Sequence, residues 1–165
     1  MTIEIKNLDK ASDLHTVEAF YAAAPDYWEA AEGHPPGLEK AKEFFEDNPP
    51  NCDPSETCRF GVFLDEHLSG IADLFFGFPE LGDAYVGLMM LGPWARNQGI
   101  GQIILSHVEE IAKVGGAKNL YLAVMSTNPK GRAFWEREGF VATGLSGMSV
   151  VGNNQQELHR LVKTL

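Results

Sequence analysis

The sequence predicts an α+β fold in one domain spanning residues 1–165, with a mixed central sheet of about six to seven strands around a parallel pair, and about four helices. Two observations predict it. An apolar run, Ala84 to Leu91, passes through Gly92-Pro93 into a helix and returns as a second apolar run, Asn119 to Met125; two strands joined by one crossover helix are parallel neighbours with a right-handed connection. Before and after this unit the spacing is that of antiparallel strands joined by short turns. A chain of this length buries a sizeable core.

In order, Thr2 to Asn7 alternates as a short strand. Ser12 is an N-cap for a first helix reaching about Ala24, and Pro25 ends it, with one further turn at Asp26 to Glu29. After the break His34-Pro35-Pro36-Gly37 a second helix runs from Leu38 to about Asp47, and Asn48 to Glu56 is a loop. Arg59 to Leu64 and Leu68 to Phe78 form a hairpin, with Gly70 and Gly77 as bulge or bend points. Ala84 to Leu91 has a polar side-chain atom only at Tyr85, the pattern of a strand buried on both faces. The following helix carries Ile100, Ile103, Ile104, Val108, Ile111 and Val114 as its apolar stripe and stops at Gly115-Gly116. Asn128 caps the last helix, with Pro129 at its first position and Gly139 as its left-handed end. Two strands, Phe140 to Val151 with an interruption near Gly144 to Gly147, and Gln156 to Lys163, close the chain around Gly152-Asn153-Asn154.

Composition narrows the function. Residues 1–66 hold 15 Asp and Glu against 5 Lys and Arg, while residues 67–165 hold 8 of each, so the formal charge of −10 belongs to the first part. Such a surface disfavours nucleic acid; as one wall of a cleft it favours a cationic ligand such as an amine, and a solvated acidic face kept for solubility is the alternative. No apolar run approaches a membrane span and Met1 to Glu4 opens no signal peptide, so a cytoplasmic protein without a membrane partner is expected. Cys52 and Cys58 read as loop thiols, and no metal site is expected.

The turn between the central strand and its helix carries the chemistry. Gly99 and Gly101 sit at the first turn of the helix, where backbone N–H groups lack partners and the dipole is positive, so an anion belongs there. A nucleotide-binding P-loop needs Gly-Lys-Ser/Thr where Ile100, Gly101 and Gln102 stand, and a dinucleotide fingerprint needs a third glycine at Ile104. What remains is Arg96-x-x-Gly99-x-Gly101.

That motif within MMLGPWARNQGIG, followed by NPKGRAFWEREGF, resembles the GNAT family of acetyl-CoA-dependent N-acetyltransferases. The resemblance implies that Arg96, Asn97, Gln98, Gly99, Ile100, Gly101 and Gln102 hold the coenzyme A pyrophosphate. It implies that Met89, Met90 and Leu91, at the end of a strand splayed from its parallel neighbour at the cofactor site, pair with the pantetheine arm and donate to the thioester carbonyl. Asn128, Arg132 and Trp135 would line the same arm, and a homodimer pairing its final strands is a further expectation.

Acyl transfer to an amine needs an oxyanion donor and a base that takes the ammonium proton. Asp73 stands in the apolar segment GIADLFF, where a carboxylate is costly unless it faces a cleft or is paired. Asp83 and Glu80 flank the turn into the central strand, and Tyr85 could bond substrate; turn chemistry and core packing are their alternatives. Tyr27 and Trp28, with Glu29 and Glu32, form a candidate aromatic and acidic lid, with helix packing of the aromatics as the alternative, and His107 reads as packing. Trp135 stands where many family members carry the tyrosine that protonates the leaving thiolate, and indole is no acid. With a thiol pKa near 8.5, unassisted departure at neutral pH costs only about 2 kcal/mol, and water, Ser126, Tyr121 or Tyr85 are the other proton sources. The expected activity is direct acetyl transfer to a primary amine of a small molecule or peptide. The competing reading, supported by Trp135 and the absence of an obvious base, is an acyl-CoA-binding sensor without turnover.

Overall fold

The computed structural model describes all 165 residues. It contains β1 (Ile3–Asn7), α1 (Lys10–Ala23), α2 (Asp26–Glu32), α3 (Leu38–Glu46), β2 (Cys58–Leu64), β3 (His67–Phe76), β4 (Asp83–Val86), β5 (Met89–Leu91), α4 (Ile100–Val114), β6 (Asn119–Met125), α5 (Pro129–Arg137), β7 (Val141–Val151) and β8 (Asn154–Thr164). The strands form one eight-stranded sheet in the order β1-β2-β3-β4-β6-β8-β7, with β5 also on β3. Only the β4–β6 pair is parallel, as the strand–helix–strand unit requires.

Both faces of the sheet are covered, which is why β3 reads as a continuous apolar run. Ala72 and Leu74 join a core built with Ile100, Ile104, Leu105 and Val108 of α4. Ile71 turns the other way into a second core with Val17, Phe20, Tyr21, Trp28 and Phe44 from α1, α2 and α3. By the two-residue period of a strand, Asp73 points to the same side as Ile71. The bulge anticipated near Gly70 is present: Val62 pairs with Gly70 and Phe63 with Leu68, so Ser69 is the extra residue.

Several elements differ from expectation for local reasons. α1 starts at Lys10, with Asp9 as its N-cap rather than Ser12, and the Asp9 N–H donates to the Asp13 carboxylate at 2.8 Å. The single turn expected at Asp26 is a seven-residue helix, because Gly33 closes it in a left-handed conformation (φ 81°). The stripe of α4 is rotated: Leu105 and Ala112 are buried while Ile103 and Val114 are exposed. His107 lies edge-on to Phe60 at 4.8 Å and packs as expected. The apolar run from Ala84 to Leu91 is two strands, broken at Gly87-Leu88.

The C-terminal hairpin reaches across to α2. The Asn153 N–H donates to the Glu32 carbonyl at 2.8 Å, and Gln156 Nε2 to the Ala31 carbonyl at 3.0 Å. β7 is the sheet's outer strand, and Val141, Leu145, Met148 and Val150 lie exposed on it.

Ile104 is fully buried between α4 and the sheet. Ile104→Ala is expected to lower unfolding free energy by roughly 2–5 kcal/mol, read by urea denaturation; a loss under about 1 kcal/mol would show that this interface is loosely packed.

Candidate functional site

The break in the central strand is made by one side chain. Asp73 on β3 accepts from the Gly87 N–H at 2.7 Å and from the Leu88 N–H at 2.9 Å, both through Oδ1. A Cβ on residue 87 would come within 2.8 Å of the Phe75 ring and 3.1 Å of Asp73 Oδ1, so the close approach needs glycine. Before the break β4 pairs with β6, from Asp83 opposite Asn119 to Val86 opposite Leu122. After it β5 stays on β3, while β6 continues from Ala123 to Met125 on β8 alone. The parallel pair therefore splays open.

The ladder shows which backbone groups face the gap. The Gly92 N–H donates to the Ser69 carbonyl at 2.8 Å, and the Leu88 carbonyl accepts from the Asp73 N–H at 3.0 Å. Polar groups alternate sides along a strand, so Met90 also faces β3, whereas Met89 and Leu91 turn theirs toward the edge that β6 has left. The Leu91 carbonyl there accepts from Arg96 Nη2 at 3.1 Å.

Beyond β5, Pro93–Ala95 forms a 3-10 turn, and Asn97 (φ 58°) and Gly99 (φ 79°) take left-handed conformations before α4 begins. No backbone N–H from Asn97 to Gln102 has a partner in the chain. Six consecutive donors at a helix N-terminus form an anion cradle. Gly101 lies where a Cβ would sit 3.1 Å from the Phe134 ring, which brings α4 and α5 close. Asn128 Oδ1 caps α5 by accepting from the Gly131 N–H at 3.0 Å.

A cleft of about 870 Å³ follows this gap. Of the residues predicted from sequence, Tyr85, Met89, Met90, Leu91, Arg96, Asn97, Gly99, Gly101, Gln102, Asn128 and Trp135 line it. Gln98, Ile100 and Arg132 do not: Gln98 Nε2 donates to the Trp94 carbonyl, Ile100 is buried in the core, and Arg132 pairs with Glu136 at 2.7 Å. The Arg96 side chain is turned to Asp26 at 2.7 Å, a bond that holds the Asp26 carboxyl below its ordinary pKa. Trp135 packs edge-on against Phe134 and Phe140.

A second cavity of about 430 Å³ lies on the α1–α3 side and meets the cleft at Tyr27, Trp28, Gly87 and Leu88. Asp73 lines it, 6% exposed, with Oδ2 making no hydrogen bond. Burial pushes its carboxyl up to about 7, against the opposing pull of the Leu88 and Gly87 N–H groups. Tyr21, Glu43, Phe44 and Asp47 also line this cavity; sequence reasoning did not single them out, because only the packing of three helices brings them together. Glu32 is buried and bonded to Lys40, and Trp28 buries an indole N–H with no acceptor in the chain. Asp83 lines neither cavity: it stands at the opposite end of β4 and accepts from Asn119 Nδ2 at 3.2 Å. Glu80 also lines neither.

No helix is long and apolar enough to cross a membrane, and no group of three or more His, Cys, Asp or Glu is arranged to hold a metal ion. Among curated protein sequences none matches significantly. Solved structures share the fold. An acetyltransferase from Thermus thermophilus is 22% identical with a TM-score of 0.75, covering 100% of this chain and 98% of that one. PaiA N-acetyltransferase from Thermoplasma acidophilum, in complex with coenzyme A, is 20% identical with a TM-score of 0.72 over the whole of both chains. The ribosomal-protein-S18-alanine N-acetyltransferase from Escherichia coli is 15% identical with a TM-score of 0.71, covering 99% and 94%. The model of the acetyltransferase (GNAT) family matches residues 10–140, which takes in the splayed strands, the cradle and α5, and the chain belongs to that family.

Proposed function

We propose that this protein transfers the acetyl group of acetyl-CoA directly to a primary amine that is cationic in solution. The observation that carries the reading is the meeting of two cavities at the Gly87-Leu88 break, with a buried carboxylate beneath it. The residues fit coenzyme A: the unpartnered N–H groups of Asn97 to Gln102 suit a pyrophosphate, and the free edge of Met89 and Leu91 suits an amide-bearing arm. The acceptor enters from the other side.

Asp73 is the general base. An alkylammonium ion must lose a proton before its nitrogen can attack, and a base is most effective with a pKa near the working pH. Oδ1 holds the two backbone N–H groups and Oδ2 takes the proton. The amine nitrogen then bonds to the acetyl carbon, the backbone N–H of Met89 or Leu91 stabilises the oxyanion, and the C–S bond breaks. The thiolate takes a proton from Tyr85 or solvent, and the attacking nitrogen gives up its second proton to the Tyr85 phenolate or to solvent, so that amide and thiol result and the one proton released overall is the one first taken by Asp73. Tyr85 lines the cleft and burial raises its pKa, so it keeps its proton until one is needed. Asp83 has no part, being at the wrong end of β4.

Three outcomes are expected. Asp73→Asn keeps an oxygen for the Gly87 and Leu88 N–H groups, so the fold survives while turnover at neutral pH falls by roughly 10²–10⁴. In the unsubstituted protein, log kcat/KM falls as pH drops below about 7 through Asp73 protonation; thiol-release assays against pH check both, and an unaltered rate in Asp73→Asn would remove it as base. The same group leaves a mark on stability. Unfolded Asp73 ionises near 3.8 while the folded one holds its proton to about 7, so its contribution declines as pH rises through that window. Denaturant titrations of the Asp73→Asn variant should show a shallower decline. Finally, Gln102 is exposed on the first turn of α4, and Gln102→Glu should weaken coenzyme A binding about tenfold by calorimetry through repulsion of the pyrophosphate. Unchanged affinity would refute the cradle.

A further inference from the structure

The second cavity carries more negative charge than one ammonium ion would balance. Glu43, Asp47 and Asp73 line it together with Lys40. Lys40 is already held: its Nζ lies 2.5 Å from Glu32 Oε2, 2.5 Å from Glu43 Oε2 and 4.7 Å from the Trp28 ring centroid. Arg59, opposite Asp73 on β2, donates to the carbonyls of Phe44 at 2.6 Å and Asp47 at 3.0 Å, and its charge offsets part of that on Asp73 and Asp47. With Glu32 just outside the lining, four carboxylates stand against two cations, and the two without an ion pair are Asp73 and Asp47. Asp73 is at the buried end, beside the break, and Asp47 is at the rim, where α3 ends. The Asp47 carboxyl is pushed up, first by desolvation and then by the negative charge of Glu43.

Charge alone would describe a solvated acidic rim. The independent sign of a ligand is Tyr21, which is 1% exposed, lines the cavity and makes no hydrogen bond through its hydroxyl. A phenol buried this deeply normally has a partner. It lies near Asp73, whose charge adds to the burial that raises its pKa. The aromatic side chains of Tyr27, Trp28 and Phe44 also line the cavity, and Lys40 over the Trp28 ring is an alkylammonium already held on one of them.

Resting on the transferase reading, we propose that the acceptor is a small diamine: the reacting nitrogen sits on Asp73 and Tyr21, the alkyl chain between the aromatic faces, and the second ammonium on Asp47. The carboxylate at the rim selects dications and holds the reacting end toward the break.

Putrescine and pentylamine, which differ by one ammonium for one methyl, test this. With acetyl-CoA, kcat/KM for putrescine should exceed that for pentylamine about tenfold or more, the usual weight of a charge-assisted contact, and the ratio should shrink as salt rises. Asp47→Asn, a change at the rim, should bring the ratio to about one. Putrescine without acetyl-CoA should also raise the melting temperature, and the Asp47→Asn variant should lose most of that rise. Equal rates for the two amines, or a ratio that survives Asp47→Asn, overturns the diamine while leaving the transferase intact. Putrescine binding without thiol release from any amine overturns the transferase and leaves the diamine cavity standing. Neither binding nor release overturns both.

Discussion

Two hydrogen bonds from the Gly87 and Leu88 N–H groups to the Asp73 carboxylate hold this structure's chemistry in place. A side chain there satisfies backbone donors that a neighbouring strand would otherwise take, so β4 ends and β5 follows a different course. The same bonds make a carboxylate tolerable at a buried position by giving it charge-assisted partners. The cleft and the second cavity meet at one break in the strand, so the proposed thioester slot and amine cavity both depend on it.

How legible this was depends on distance along the chain. The anion cradle is local: Arg96 to Gln102 carries its glycines and its helix start within one stretch, and the unpartnered N–H groups fall on the residues predicted. Asp73 was legible as an anomaly, a charge in an apolar strand. Its partners were not, because Gly87 and Leu88 lie fourteen and fifteen residues away and belong to what reads as one continuous strand. Asp83 illustrates the converse. A carboxylate at the start of a buried strand looks alike at either end of a sheet, and only the register opposite Asn119 shows that it faces away from the break. Tyr21 carried no signal at all, since in sequence it is one more apolar position on α1. Tyr27 and Trp28 read as a candidate lid or as helix-packing aromatics; the structure buries Trp28 in the second core with Tyr27 against it, and both also line the two cavities.

The uneven charge of the chain also takes a physical form. The acidic first part builds most of the wall around the second cavity, from Tyr21 to Pro49, while the turn with the unpartnered N–H groups belongs to the balanced second part. Under the proposed function a polyanion and a cation would thus be received at separate places, each where the local field favours it.

The bonds from the C-terminal hairpin to the Ala31 and Glu32 carbonyls bear on how the protein is made. Synthesis delivers α2 early and β8 last. The end of the helix that carries Tyr27 and Trp28 gains those anchors only when Asn153 and Gln156 emerge. The same strands complete the cleft, since Val151 and Leu158 line it and Ala123 to Met125 of β6 pair with β8 alone, whereas no residue beyond Leu88 lines the second cavity. A chain stalled before its final hairpin would lack one wall of the cleft and the tie that secures α2.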